Sequence, residues 1–407
     1  MGQPARHCPT GRLPPTVWRH TMTSPKPATL QSYRQMLAVD PVLKRIARLS
    51  DLLDNLPDRT LFHAGPPFKS LKNLPAPILN ASSAAAVQEG FADTLDAARS
   101  AVKSGDIHLC PAQDFGIVTP LAFVAGPSMY AVAVEDRAAP GQIVVSPLND
   151  GPPSGCLRFG TANDAGRGLL DALCGEVGAD LARGFSSSPA NPLALLPLMS
   201  AAIGKGDDLH GQVAAANALL RPALGSDLSD ASEDYLDQAG QFVLNVIMAA
   251  CGLMLKAGNG VAGSEMVTAS GGNGQEIGYQ IANAPGDWIT LPATRPVGPA
   301  LPGKEKSTAL PAIGDSAVID ALGFGAACLR FAPTLHDPLK PHIPDIYANA
   351  AAHDAYIGPH PKFSYPGLKL GLDLSQPRQC LGIMLGMVEE TGTEGLIGRG
   401  VAPWPDA

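Results

Sequence analysis

Charge is scarce in this 407-residue sequence: only 16% of its residues are Asp, Glu, Lys or Arg, against about 25% in an ordinary soluble protein. What charge there is leans acidic, 37 Asp and Glu against 29 Lys and Arg for a net of −8, so the basic face of a nucleic-acid binder is missing. The seven cysteines are odd in number and widely spaced, with no Cys-x-x-Cys pair. That excludes a disulfide framework and a zinc knuckle, and reads as scattered thiols in a reducing compartment. No apolar run spans a bilayer: 118–134 is broken by Pro120, Gly126 and Pro127, and 242–255 is too short. The first 30 residues are rich in Pro and Arg and hold no stretch of signal-peptide length. The expectation is a soluble, cytoplasmic chain with a disordered tail over 1–35, in which Met22 reads as a natural start that leaves 1–21 untranslated. Nine histidines form neither His-Glu-x-x-His nor His-x-His, and no Gly-x-Ser-x-Gly or Walker sequence occurs. No metal site and no cofactor is therefore expected.

Glycine and proline are abundant, 44 and 39 residues, together about a fifth of the chain where about 12% is usual. With 45% hydrophobic residues there is ample material for real cores, and the length allows two or three domains. Residues 30–54 read as a helix on the spacing of Met36, Leu37, Val42, Leu43, Ile46 and Leu53. Ser82 and Ser83 read as caps of an alanine-rich helix running to about Lys103. Strand-like runs follow at 107–110, 130–134 and 143–145. From 163 to 257 the pattern turns helical, including one long stretch over 235–255. Strand character returns at 265–269, 277–282 and 288–291, a helix is expected over 317–330, and a buried strand over 381–388. The fold class is α+β: an N-terminal α+β domain (36–162), a central helical domain (163–258) and a C-terminal α+β domain (259–407).

Several short motifs could carry chemistry. Gly258-Asn-Gly260-Val-Ala-Gly263 matches a dinucleotide fingerprint in letters, but it follows a helix and precedes a strand, the reverse of the required order, and reads as a helix end. Ser270-Gly-Gly-Asn-Gly274 is either an N–H cradle for an anion or carbonyl oxygen, or a tight turn. Asp207-Asp208-Leu209-His210 puts a carboxylate three residues from an imidazole: an oriented general base, a metal-ligand pair, or a capped surface cluster. His63 stands in a Gly-Pro turn that either holds it at a cleft or leaves it solvated. Gly314-Asp315-Ser316 offers N–H groups and a hydroxyl to an anion, or is only a cap.

Taken in order, these pieces join others: Thr60-Leu-Phe-His63-Ala-Gly-Pro-Pro67, Leu148-Asn149-Asp150-Gly151 with Leu157-Arg158-Phe159-Gly160, Gly206 to His210, Leu244-Asn245 to Cys251, Val267-Thr268-Ala269 with Asn273-Gly274, Ile313 to Ala317, and Ile397-Gly398-Arg399-Gly400. From about 36 to 405 the chain resembles the bacterial family that includes a subunit of oxamate carbamoyltransferase, encoded beside the succinyl-CoA-synthetase-like protein FdrA. The resemblance implies an α+β fold with a helical middle, cytoplasmic nitrogen metabolism of the purine or allantoin-degrading kind, and work in a homo- or hetero-oligomer with an FdrA-like partner and a further subunit. The family reaction it implies moves a carbamoyl group between oxalurate and phosphate, giving oxamate and carbamoyl phosphate.

Departures are part of the pattern. Where the resemblance anticipates a His-His pair the chain has Gln113-Asp114; an Arg-Asn pair is Gln212-Val213; an Arg is Gly272; an Asn and a His are Met384 and Glu389. Two readings follow. In the enzymatic one, this is a subunit of a carbamoyl- or acyl-transferring complex acting on a small anionic, amide or ureido compound. His210 moves protons with support from Asp207, and Asp114 replaces a lost imidazole as base or metal ligand. Asn149, Asn273 and Gly274 orient a carbonyl, Arg158 holds negative charge, and His63, Asp315 and Ser316 complete the substrate site. In the other reading the chain is a catalytically silent scaffold or regulatory paralogue. Convergence of Gln113, Asp114, Asp207 and His210 on one cleft favours the first, and dispersal favours the second.

Overall fold

The computed structural model describes residues 24–152, 155–343, 354–376 and 382–404. The expected translation start and most of the expected tail lie outside them. Helix α1 (Pro27–Ala38) begins inside the expected tail, with Pro27 fitting its first turn. It stops before Pro41, which cannot continue a helix. The residues beyond it form strand β1 (Pro41–Arg48) and a single turn, α2 (Leu49–Leu52). The single helix expected over 30–54 is thus corrected: Val42, Leu43 and Ile46 are buried from a strand that carries a bulge between Leu43 and Arg45.

Strand β2 (Thr60–His63) is followed by α3 (Ala76–Gln88) and α4 (Leu95–Ser104), the latter capped by the Thr94 hydroxyl. Ser82 and Ser83, expected as caps, sit inside α3 and bond back to the carbonyls of Ile78 and Leu79. Pro77 starts that helix, and the break at Gly90 separates it from α4. Strands β3 (His108–Pro111), β4 (Tyr130–Asp136) and β5 (Ile143–Pro147) form where the sequence places them.

The helical middle holds α5 (Asp164–Cys174), α6 (Glu176–Ser187), the short strand β6 (Leu193–Ala194), α7 (Leu195–Ile203), α8 (Ala214–Leu220), α9 (Asp230–Gln238) and α10 (Val243–Lys256). The stretch expected over 235–255 is broken between α9 and α10, whose axes differ by 71°. Strands β7 (Val267–Asn273), β8 (Glu276–Ile281), β9 (Ala284–Pro292) and β10 (Ile313–Gly314) come next. Helix α11 (Ala317–Leu322) is shorter than expected and passes into a 3-10 stretch over Gly325–Phe331. The chain closes with α12 (Pro333–Leu339), β11 (Tyr356–Gly358), β12 (Leu370–Leu372), β13 (Gly382–Val388) and β14 (Leu396–Pro403).

The two larger sheets are antiparallel, with strand orders β5-β4-β1-β6 and β10-β7-β8-β9. Strands β2 and β3 pair in parallel, and β11-β12 and β13-β14 form antiparallel ribbons. Helix α10 is the centre of the core. Val243 to Leu255 are all buried, and the helix packs on β1, β4 and β5 of one sheet, on β7 of the other, and on α11. Its sequence, apolar on every side except at Asn245, is what such a position demands. Among the described residues no single helix is long and apolar enough to cross a membrane. The fold is α+β.

Candidate functional site

His210 lies in the loop between α7 and α8, not on a helix. The Asp208 carboxylate shapes this loop by accepting from the backbone N–H of His210, Gly211 and Gln212 at 3.1, 3.1 and 2.7 Å. Leu209, just before the histidine, is held at φ 69°, a left-handed conformation that costs a leucine about 1–3 kcal/mol. The imidazole is buried and its Nδ1 lies 2.7 Å from Asp320 Oδ2. Because a carboxylate only accepts, Nδ1 carries the hydrogen and Nε2 is the basic nitrogen. Asp320 projects from α11, and its other oxygen accepts from Ala326 N–H at 2.8 Å and Met384 N–H at 3.1 Å. Gly325 makes this possible: a Cβ there would lie 2.3 Å from Asp320 Oδ1.

His210 lines a small cavity with Arg158, Arg399 and Ser316. Arg158, on a 3-10 turn (Leu157–Phe159), is fixed by Asp150, 2.9 Å from its Nη1, and by Gln241 Oε1, which accepts from Nη2. Asp150 also accepts from Gln241 N–H at 2.7 Å, so acid, amide and guanidinium form one unit. The Arg158 charge is therefore matched. That of Arg399, on β14, is not: its guanidinium has no hydrogen bond or ion pair among the described residues. Burial lowers the Arg399 pKa; the Arg158 charge lowers it further, while Asp208 opposes both. A second anion would relieve all of this. The Ser316 hydroxyl is buried with no partner, a donor held in reserve on the same wall. Leu121, Phe159, Leu244, Met384, Leu385 and Leu396 make the remaining surface apolar.

Backbone strain marks the same place. Among the described residues, four that are not glycine have positive φ: Asn55, Arg59, Leu121 at 48° and Leu209 at 69°. Both leucines flank this cavity, one lining it and the other preceding His210. Neither has a side chain suited to that conformation, so the surrounding structure enforces it.

Of the residues expected at a site, His210, Arg158 and Ser316 meet here. The others do not. Asp207 makes no hydrogen bond or ion pair with His210; its carboxylate caps α8 by accepting from Ala215 N–H at 3.3 Å and Ala216 N–H at 2.8 Å. Asp114 accepts from Trp288 Nε1 at 2.9 Å and Gln280 Nε2 at 3.0 Å, with burial raising its pKa against both bonds. His63 donates from Nδ1 to Ala64 O, and burial pushes its pKa down to about 4, so it is neutral near pH 7. Asn149 gives its amide hydrogens to Pro147 O and Asn245 Oδ1. Asn273 ties Pro66 O to the turn N–H groups of Gln275 and Glu276. Gly274 is a turn residue at φ 84° whose N–H donates to Ala312 O. Asp315 binds Gly65 N–H, Gln113 Nε2 and Thr119. The four residues Gln113, Asp114, Asp207 and His210 thus disperse. At the positions of lost polar groups, Met384 walls the cavity and Glu389 caps the loop at Thr391 to Glu394.

The two residues missed, Asp320 and Arg399, each left a trace. An acid inside the apolar run Ala317–Leu322 needs a buried partner, and Arg399 stands within the Ile397–Gly400 motif. Among the described residues no group of three or more His, Cys, Asp or Glu is placed to hold a metal ion.

Comparison with known proteins gives this geometry a family. A crystal structure of a conserved protein of unknown function from Enterococcus faecalis V583 superposes with a TM-score of 0.83, covering 93% of this chain and 94% of that one at 23% identity, and so shares the fold. The uncharacterized protein YahG of Escherichia coli K12 is 28% identical over 319 residues, 76% of this chain and 66% of that protein. The oxamate carbamoyltransferase subunit AllG of the same organism is 27% identical over 384 residues, 90% of this chain and 86% of its own length. The family model of that subunit matches residues 107–316, from β3 through Arg158 and His210 to Ser316, and this chain belongs to the family of the oxamate carbamoyltransferase subunit AllG.

Proposed function

We propose that this chain is the substrate-binding, proton-transferring subunit of a carbamoyl-transferring complex acting on a small carboxylate-bearing amide or ureido compound. The observation that carries the reading is the His210–Asp320 pair opening onto the cavity that holds the unpaired Arg399. The substrate carboxylate would bind Arg399, with Arg158 adding positive field and Ser316 a hydroxyl donor. When an oxygen nucleophile attacks the carbamoyl carbon, the carbon–nitrogen bond breaks and the departing nitrogen needs a proton. His210, entering the step as the imidazolium that Asp320 stabilises, supplies it from Nε2 and is left as the neutral ring with its hydrogen on Nδ1. In the reverse direction the same nitrogen is the base. The apolar wall, with Met384 in it, shields the reacting centre from water. A FdrA-like subunit and a further subunit complete the complex in this proposal.

The test is turnover in the co-expressed complex, with oxalurate and related ureido acids as donors and phosphate as acceptor. His210→Ala is expected to lower kcat by about 10²–10⁴-fold. Asp320→Asn reverses the hydrogen bond to Nδ1 and should approach the same loss, while Arg399→Gln should act mainly on KM. Asp207→Ala uncaps α8 and should lower Tm by the equivalent of about 1 kcal/mol while leaving turnover intact. Unchanged turnover in His210→Ala overturns the reading and favours the silent scaffold, the role to which the dispersal of Gln113, Asp114 and Asp207 points.

A further inference from the structure

A second small cavity opens at the other end of α10, lined among others by Val118, Val144, Gly252, Lys256, Asn259 and Thr268. Its space is kept by glycine. Gly252 is an interior helical residue, and a Cβ there would stand 3.3 Å from Val118 Cγ1 and 3.5 Å from Val144 Cγ1. Gly116, at φ 74°, leaves room for Lys256, whose Nζ lies 3.5 Å from the position of its missing Cβ. A glycine inside a buried helix weakens it, and here what it leaves is open volume.

Two glutamines of the lining are already engaged, Gln113 with Ser270 and Asp315 and Gln280 with Asp114 and Gly286, but three other polar groups are unspent. Thr268 is 4% exposed and its hydroxyl has no partner; Asn259 Oδ1 is likewise buried and unpartnered. Lys256, at the exposed mouth, has no carboxylate or hydrogen-bond partner among the described residues. Buried polar groups without partners are rare because water has been removed and nothing has replaced it. A cation and a hydroxyl donor beside an amide oxygen, over walls of valine and isoleucine, have a specific complement. It is a short branched carboxylate that also carries a hydrogen-bond donor.

We infer that this cavity is a binding site for a short aliphatic 2-hydroxy acid, with the carboxylate on Lys256 and Thr268, the 2-hydroxyl donating to Asn259, and the alkyl group against Val118 and Val144. The site is separate from the one at His210. Leu244 lines that cavity and Gly252 lines this one, eight residues apart on α10, which is about 12 Å; reacting atoms must lie within about 3–3.5 Å. The occupant is therefore not a co-substrate for chemistry at His210, and the inference stands whether or not that chemistry occurs. The two cavities share the segment 117–121, with Ile117 and Val118 here and Pro120 and Leu121 there, and Thr119 between them is pinned to Asp315.

The experiment is a titration of the full chain, methyl-labelled for NMR, with 2-hydroxy-3-methylbutanoate. Saturable shifts are expected at the methyls of Ile117, Val118 and Val144. Lys256→Gln, a change at the exposed mouth that leaves the fold intact, should weaken binding at least about tenfold. The isosteric Thr268→Val should also weaken it, and the neutral amide of the probe should bind at least about tenfold less tightly. The inference is overturned by shifts confined to Met384, Leu385 and Leu396, by unaltered affinity in both variants, by equal binding of the amide, or by no shift at millimolar probe.

Discussion

Asp315 illustrates how a residue read as a ligand group can be a structural acceptor. Its carboxylate collects Gly65 N–H at 2.9 Å, Gln113 Nε2 at 2.6 Å and Thr119 N–H at 3.0 Å, joining the turn after β2, the turn after β3 and the entry to α11. Gln113, standing where the resemblance anticipates an imidazole, also bonds the backbone of Ser270 at both ends of its amide. Burial raises the Asp315 pKa to about 7, more than these donors lower it. The folded value thus lies above the ordinary aspartate value of 3.8, so between about pH 4 and pH 7 the native state holds a proton that the unfolded chain has released. Stability from this group is complete below pH 4 and is lost as the pH rises through 7. The total is on the order of a few kcal/mol. Asp315→Asn removes the titration, so the stability of the wild type relative to the variant should fall as the pH rises from 4.5 to 7.5 in urea denaturation. A difference that is flat, or that grows with pH, is incompatible with a protonated native Asp315.

At the scale of elements, the loss of Arg at position 272 is not a simple truncation. Gly272 pairs with Gly314 where β7 meets β10, and a Cβ at 272 would lie 2.3 Å from Ala312 O and 2.7 Å from Ala312 C. Both atoms are backbone, so no rotamer change relieves the overlap. Gly272→Arg therefore moves β10 and, with it, Asp315 and Ser316. Even Gly272→Ala should cost about 1–3 kcal/mol, and the Arg variant should have a lower Tm with no gain in affinity for anions. An unchanged Tm would mean that β10 slides freely. The sequence pattern was informative about elements wherever local signals act alone: β4 and β5 are short apolar runs rich in valine and, like β8, lie between turns, and most helices of 163–257 are apolar at helical spacing. It misleads where a single proline decides, as at Pro41, which turns the second half of an apparent helix into β1. It also misleads where a side chain serves inside an element rather than at its edge, as Ser82 and Ser83 do in α3. The site follows the same division. His210, Arg158 and Ser316 belong to recognisable motifs. The partnership of His210 with Asp320 spans 110 residues and arises only when α11 packs beside the α7–α8 loop.

On the scale of the whole molecule, one continuous apolar cluster takes residues from the N-terminal portion, the helical middle and the C-terminal strands. Both cavities lie along α10 at its centre. The interior is thus well supplied, and the scarcity of charge has to be explained at the surface. Interface cores are depleted in charge, and an unpaired edge strand is a ready surface for association. Strand β9 is the outer strand of its sheet, with one face open along most of its length. Ile289 on that strand is 41% exposed; Val297 and Leu301, on the segment running beside β14, are 40% and 37% exposed. These are the large apolar side chains left in water among the described residues, and all three belong to the C-terminal portion. They would be covered by a FdrA-like partner subunit in the proposed complex. Light scattering on the co-expressed proteins should then give a mass well above the 41.9 kDa of this chain. The double variant Ile289→Lys, Leu301→Lys should weaken assembly at least about tenfold, the effect of losing about 1.4 kcal/mol at an interface, with the Tm of the isolated chain unchanged because neither side chain is buried in it. A 41.9 kDa monomer in the presence of the partner, or assembly unaffected by the two lysines, would move the explanation of the low charge away from this face.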